Sequence, residues 1–464
     1  MRGKERRRLI WNESGKNGAQ YLQRKKVQRM MDMTSIWMAS LDLPHFEPMQ
    51  GDIKTDVLII GGGMAGILCA YFLHEKGVDY TLVEGNRICC KITKDTTAKI
   101  TAQHGFIYDK LVNGAGEEKA KMYLEANLNA VSQYARLAEH IDCDFEQKTS
   151  YVYSLNNRGK LEKESGALSR IGFDTDIEEN LDLPFPTAGA VAFPNQAQFH
   201  PLKFVAQIAK GLRIYENTFV KEWKDHTAVT DHGSIFYQKA IFATHFPIDN
   251  KHGMYFLKMY QSRSYVIALQ NAPKINGMYV DGEKKGFSFR NYEDFLLIGG
   301  GAHRSGKCGG KWEELREFAE KYYPGRQIKY NWATQDCMTL DGVPYIGPYS
   351  KHMPDCYVAC GFNKWGMTSS MVSAKILTDM ATGQSNPYAE VFSPSRSIWK
   401  PQLFVNGWEA AVNLLLPAKK RCPHLGCGLK WNKTEETWDC PCHGSRFDEK
   451  GILMNNPANK DMKK

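Results

Sequence analysis

Two short stretches near the C-terminal end hold the residues best suited to chemistry. They are Cys422-Pro423-His424-Leu425-Gly426-Cys427 and Cys440-Pro441-Cys442-His443-Gly444-Ser445. Thiolate and imidazole donors offered together suit zinc or an iron–sulfur cluster. Each loop holds a Cys–His pair able to ligate, Cys422 with His424 and Cys440 with His443, and a further cysteine, Cys427 or Cys442. A structural zinc knuckle would use the same four donors, but it would need neither the extra cysteines nor the Gly444-Ser445 ending.

C-x-H-x-x-C followed by C-x-C-H-G-S resembles the Rieske family. A Rieske centre has two Cys on one iron and two His on the other, with a potential above that of all-Cys clusters. The resemblance implies that Cys422 and Cys440 hold one iron and His424 and His443 the other. It implies a disulfide between Cys427 and Cys442, and a hydrogen bond from Ser445 to a cluster sulfur. High-potential members carry Tyr two residues beyond that Ser; here the residue is Phe447, so a lower potential is expected. Only 64 residues follow position 400, so the cluster module is expected to be abbreviated or to borrow support from the rest of the chain.

A second chemistry-bearing stretch lies near the other end. The apolar run Asp56–Ile60 suits a central parallel strand and leads into Gly61-Gly62-Gly63-Met64-Ala65-Gly66, a G-x-G-x-x-G. A helical stretch to His74 follows, then a strand Val78–Val83 ending at Glu84, 18 residues after Gly66. In this context Gly61 permits the tight turn and Gly63 a close backbone approach to a pyrophosphate. Gly66 permits helix–strand packing, and Glu84 can bind ribose hydroxyls. The three consecutive glycines exclude a lipid-facing helix over residues 57–73, despite their hydropathy.

Further segments resemble the glycine/D-amino-acid oxidase superfamily of FAD enzymes. Thr96-Thr97-Ala98-Lys99-Ile100-Thr101 and His104 match the segment that passes along pyrophosphate and flavin in that superfamily. Phe199-His200-Pro201 resembles a helix opening, and Ile241-Phe242-Ala243-Thr244-His245 the strand ending in Ala-Thr-Gly, with His245 in place of Gly. Asp341–Gly347 and Gly361-Phe362-Asn363-Lys364-Trp365-Gly366-Met367-Thr368 resemble the segments that close the flavin site. The latter opens a helix expected over Ser369–Met380, whose N-terminal N–H groups favour an anionic ring. The resemblance implies FAD contacts at Gly61, Gly63, Met64, Ala65, Gly66, Glu84, Thr97, Lys99, Thr101, Ala243, Thr244, Gly361, Gly366, Met367 and Thr368.

Residues 140–190 and 250–330 read as alternating strands, which in that family roof the flavin and bind substrate. Arg290 and Tyr292 are candidates there for a substrate carboxylate, because Arg favours bidentate pairing; a solvated strand Arg is the competing reading. Phe295–Gly301 looks like a second nucleotide turn, but Arg304 stands where the third glycine belongs, which disfavours an NAD(P)H site. Cys337 resembles the flavin-attaching cysteine of sarcosine oxidases, yet its spacing to Asp341 looks shorter, so a buried free thiol is expected.

The resulting organisation is a basic tail (1–33), an oxidase-type domain (34–382), a polar linker (383–400) and the cluster module (401–464). The expected fold is α/β, a Rossmann-like FAD-binding domain interleaved with an antiparallel-sheet substrate domain, plus a small all-β Rieske-type module. The formal net charge is +9, of which +8 sits in residues 1–30. A basic arm so confined reads as solvated rather than as a nucleic-acid site, and no apolar region follows it as in a secretory signal. A cytoplasmic protein without a membrane span is expected. The resemblances imply a FAD-dependent oxidoreductase with a [2Fe–2S] cluster that passes electrons singly between an organic substrate, an amine or amino acid, and the cluster. An external electron donor or acceptor, such as a redox protein, would complete the relay. The rivals are a redox carrier or sensor without its own substrate, and a flavin oxidase with structural zinc.

Overall fold

The computed structural model of the chain describes residues 34–249, 252–283, 286–307 and 311–462. The basic tail of residues 1–33 lies outside the described residues.

The first sheet is built around the strand Ile53–Ile60, whose last four residues are all buried. Helices cover a strand of this kind on both faces, so its apolar residues run on without alternation. It pairs in parallel with Tyr80–Val83 on one side and Ser234–Phe242 on the other, with Ile59 opposite both Leu82 and Ile241. Ile214–Tyr215 and Met353–Cys360 extend the parallel set at its two edges. Helix Met64–Glu75 packs against helix Gly366–Ala381 beside this sheet. The latter starts three residues before the expected Ser369, taking in Gly366-Met367-Thr368 but not Gly361–Trp365.

The second sheet has nine strands and is mostly antiparallel, with Met259–Gln270 between Phe295–Arg304 and Ile328–Thr339. Strand Phe295–Arg304 runs through Gly299, Gly300 and Gly301, with an irregularity at Gly301 (φ +62°) where its register with Met259–Gln270 shifts. No nucleotide turn forms there, so the second dinucleotide motif is a strand. Helix Pro201–Ile208 opens as expected at His200, whose Nδ1 accepts from the backbone N–H of Lys203 (3.1 Å).

The C-terminal part begins with helix Pro401–Leu415, which the sequence reading did not resolve as an element. A four-stranded sheet follows, made of Lys430–Asn432, Thr437–Asp439, Arg446–Phe447 and Leu453–Asn455. Strands of two or three residues bury little apolar surface. The core of this sheet is Cys422, Cys427, Leu429, Cys440, Cys442, Phe447 and Ala458, four cysteines among seven residues. Each of the other sheets packs a far larger apolar core.

Candidate functional site

A cavity of about 1270 Å³ opens at the carboxyl ends of the first sheet, between it and the second. Gly61, Gly63, Met64, Ala65, Glu84, Thr97, Lys99, Ala243, Thr244, Gly366 and Met367 all line it. Gly61 has φ +112°, and a Cβ there would stand 2.6 Å from the Ala243 carbonyl oxygen. A Cβ on Gly66 would stand 1.9 Å from the Gly61 oxygen, so the turn and the helix meet backbone to backbone. The N-termini of helices Met64–Glu75 and Gly366–Ala381 both reach this cavity, a setting that favours phosphate or another anion. Glu84 accepts from the N–H groups of Gly62 (2.8 Å) and Asn86 (2.9 Å), one on each oxygen, and keeps acceptor capacity toward the cavity. Burial raises its carboxyl above the ordinary range, against the lowering effect of those two donors.

Gly66, Thr101, Gly361 and Thr368 do not line the cavity. Gly66 is taken up in the contact just described. The Thr101 carbonyl accepts from Thr368 Oγ1 (3.1 Å) and hydrogen-bonds His104 Nε2 (2.8 Å), so these groups brace the wall from behind. Gly361 turns the chain at φ +72°, and its carbonyl is held by Asn363 Nδ2 (2.6 Å). His245 adopts φ +67°, so the conformation a glycine would supply is kept by a histidine. Its Nε2 is buried and has no hydrogen-bond partner among the described residues.

The structure gives Arg290 and Tyr292 partners within the protein. Arg290 is fully buried and donates to the backbone carbonyls of Thr97 (2.9 Å), Ala98 (2.7 Å), Phe199 (3.4 Å) and Asn291 (3.1 Å). It is neither a solvated strand residue nor available to a ligand; it ties the segment 97–98 to the second sheet. The Tyr292 hydroxyl donates to Asp144 (2.8 Å), away from the cavity. Cys337 is buried and free, and burial raises its thiol well above the usual range.

The cavity gathers titratable groups from three segments, Lys99 and Lys364 from the flavin-type motifs and Asp336 from outside them. Burial brings the Lys99 ammonium down to about 7, with a further contribution from Arg290. Lys364 and Asp336, both lining the cavity, oppose each other: burial lowers the lysine and pushes the Asp336 carboxyl up to about 6. Nothing in sequence spacing joins residues 336 and 364.

At the cluster loops Cys422, Cys440 and His443 are buried and His424 is nearly so, with the His424 and His443 rings 5.0 Å apart. Burial holds His424 down to about 4 and His443 to about 3, the latter helped by His424 and Arg304, so both rings are neutral and fit to ligate. His443 Nδ1 is buried and finds no partner among the described residues, as a metal ligand would. The expected disulfide is corrected: Cys427 and Cys442 are free thiols. The sulfurs of Cys427, Cys440 and Cys442 lie within 4.8 Å of one another, forming a shared group of soft donors rather than a bonded pair. Cys442 Sγ points toward the Glu409 carbonyl (3.9 Å). Phe447 is fully buried against this set and contributes no hydroxyl.

The cavity wall and the loops share a boundary. Phe246 follows His245 directly, and its ring lies 6.3 Å from that of His424 and 6.5 Å from that of His443. Gln261 donates to the carbonyls of His443 and Asn456 (both 2.9 Å), and Gln335 to that of Gly444 (2.8 Å). Arg304 donates to the carbonyls of Pro441 and Cys442 (both 2.9 Å), the use made of the residue that interrupts the second glycine pattern. Asn456 returns the contact, donating to Thr244 (2.6 Å) and Phe246 (3.1 Å). Beneath this seam Glu435 is buried against Arg263 and Arg446, with Tyr265 (3.1 Å) as a further donor. Arg446 also binds Asp439 (3.0 Å).

A dinucleotide cavity walled on one side by the seat of a Cys/His donor set is the architecture of a redox flavoprotein. The residues present fit both groups: glycine turn and helix N-termini for the dinucleotide, thiols and neutral imidazoles for the cluster. Residues 56–380 match the FAD-dependent oxidoreductase family, DAO, and residues 408–464 the Rieske [2Fe-2S] domain. YhfW of Bacillus subtilis (strain 168), assigned as a Rieske 2Fe-2S iron-sulfur protein, is 36% identical over 92% of this chain and 96% of its own. Among solved structures, L-proline dehydrogenase from P. horikoshii superposes with a TM-score of 0.63 at 19% identity, covering 74% of this chain and 98% of that one. Glycine oxidase from Geobacillus kaustophilus gives 0.63 at 18% identity, covering 75% and 100%. At such identities these two establish the fold alone. The chain belongs to the DAO family of FAD-dependent oxidoreductases and carries a C-terminal Rieske [2Fe-2S] domain. Among the described residues no helix is long and apolar enough to cross a membrane.

Proposed function

We propose that this oxidoreductase withdraws two electrons from an amine or amino acid at the cavity and passes them one at a time to the Rieske centre for an external acceptor. When bound, FAD supplies the hydride-accepting ring and the [2Fe–2S] centre the single-electron carrier. One observation carries the reading. The rings of His424 and His443 pack against Phe246, the residue next to the Ala243-Thr244-His245 wall of the cavity.

The chain's own contribution is binding and positioning. Gly61, Gly63 and the N-terminus of helix Met64–Glu75 would hold the anionic end of the dinucleotide, and the N-terminus of helix Gly366–Ala381 would favour the anionic ring. With Arg290 committed to backbone carbonyls, Lys99 and Lys364 are the cavity's candidates for a substrate carboxylate. Cys422, Cys440, His424 and His443 hold the cluster, and Gln261, Gln335 and Arg304 fix the loop that presents it. Electrons entering from an external donor would use the same path in reverse.

The test is anaerobic addition of amines and amino acids, with flavin absorbance and low-temperature EPR followed together and iron and zinc counted on the same sample. Flavin bleaching followed by a Rieske-type signal supports the relay. Zinc in place of iron, or bleaching that never yields the EPR signal, overturns it.

A further inference from the structure

Helix Pro401–Leu415 is turned inside out. Its polar side chains, Gln402, Asn406, Glu409 and Asn413, recur at spacings of four, three and four, which puts them on one face. That face points into the protein. Asn406 accepts from Arg304 (3.0 Å) and donates to the Leu257 carbonyl (3.2 Å). Glu409 pairs with Lys307 (2.7 Å), and Asn413 is buried, its carbonyl accepting from the N–H of Gly428 (2.8 Å). The opposite face carries Phe404, Trp408 and Leu415, exposed by 67%, 71% and 83%, with Trp399 just ahead of the helix at 74%. A monomer in water gains nothing from showing two indoles, a phenyl ring and a leucine on one face while burying amides, so the face implies a partner.

Charge decides which partner. Lys400 precedes the helix and Lys419, Lys420 and Arg421 follow it. Among the described residues none of the four pairs with a carboxylate at ion-pair distance. The Arg421 guanidinium lies at the helix end, donating to the carbonyls of Leu414 (3.0 Å) and Leu416 (3.2 Å). A second copy docked on this face about a twofold axis would set cations against cations. The segment 1–30, with ten Lys/Arg against two acids, meets the same repulsion. An anionic bilayer meets both needs, since tryptophan favours the headgroup level and cations are drawn to anionic lipid.

We propose that the apolar face of helix Pro401–Leu415, with its flanking cations, docks this protein peripherally on an anionic membrane surface. The cluster loop adjoins this face, because Gly426 packs beside Leu414. Val405 both belongs to the face and lines the rim of the cavity. Docking would therefore set cluster loop and cavity rim beside the lipid, within reach of a lipid-dissolved redox partner. The proposal stands on the helix alone and does not depend on which substrate the cavity takes.

Flotation of the full chain with phosphatidylcholine vesicles, with and without roughly one-third phosphatidylglycerol, tests it. The protein should float with the anionic vesicles, and Trp399→Ser and Trp408→Ser should each lower its partition by roughly tenfold, since each removes one buried aromatic anchor. Lys419→Gln with Lys420→Gln should weaken binding most at low salt. Trp399, Trp408 and Lys419 are solvent-facing, whereas the Lys420 ammonium lies over the Trp438 ring (4.7 Å), so the tryptophan variants should keep the flavin spectrum and melting temperature of the unaltered chain. Absence of flotation overturns the proposal. So does flotation that survives the tryptophan changes, which would assign binding to another segment. Loss of self-association or of a soluble protein partner in the same variants, without any vesicle binding, would make the face a protein contact instead.

Discussion

The cavity-bearing part and the cluster-bearing part are stabilised by different means. The two large sheets bury long apolar strands and rest on the hydrophobic effect. The cluster part owns four strands of two or three residues and a core that is more than half cysteine. What it lacks in apolar core it obtains from donor atoms at its centre and from a buried ionic seam at its base. Glu435, Arg446 and Asp439 belong to it, and Arg263 and Tyr265 belong to the second sheet. One part is held by its own apolar cores, the other by a small cysteine core and its contacts with the first.

The sharpest way to break the contrast is to remove the cluster. Cys440→Ser or iron chelation should unfold the C-terminal part, because metal-binding energy is folding energy in so small a core. Protease should then cut within residues 416–462 while flavin absorbance persists. Co-operative loss of both would show that the two parts are one unit.

A smaller break targets the seam. Glu435→Gln leaves Arg263 buried without its anion, while Arg446 keeps Asp439, and should cost about 3–5 kcal/mol of attachment, read by hydrogen exchange in residues 430–455. Its pH signature has a definite sign. The two guanidiniums hold the Glu435 carboxyl far below the ordinary range despite its burial. The stabilisation is therefore complete above the unfolded carboxyl value of about 4.3 and declines as pH falls below it. The glutamine variant should lack that acid limb; an acid limb of unchanged size would place the titrating group elsewhere.

Asn456→Ala should have the smallest effect. It removes the hydrogen bonds to Thr244 and Phe246 and should cost about 1–2 kcal/mol. Cavity and cluster parts should each melt as before, with slower electron passage between them in rapid-mixing experiments.

The same contrast governs what the sequence revealed. The glycine turn was readable because backbone contact forbids a Cβ at Gly61 and Gly66, and the cluster loops because ligation restricts residue type. Both leave a short local pattern, even though the atom that forbids a Cβ at Gly61 belongs to distant Ala243. The partners of Arg290 were not legible, because its acceptors at Thr97, Ala98 and Phe199 lie far away in sequence and only the folded sheet turns its guanidinium toward them. The Cys427–Cys442 pairing failed for a related reason: the loops bring several sulfurs together, and sequence cannot say which of them bond. The Glu435 seam had no local sign, since an acid in a turn between short strands reads as solvated. Helix Pro401–Leu415 shows a further limit. Its period is plain, but which face turns inward depends on Arg304 and Lys307 waiting to receive the polar stripe.

The clamp formed by Gln261, Gln335, Arg304 and Asn456 has a kinetic consequence. A cluster carried on a swinging head shuttles between donor and acceptor, and its turnover follows solvent viscosity and tether length. Here the seat is bolted to the second sheet, so in the proposed relay the spacing between donor and acceptor would be set by the fold. Internal transfer should then be indifferent to viscogens such as glycerol, and any drag they impose would fall on the encounter with the outside partner.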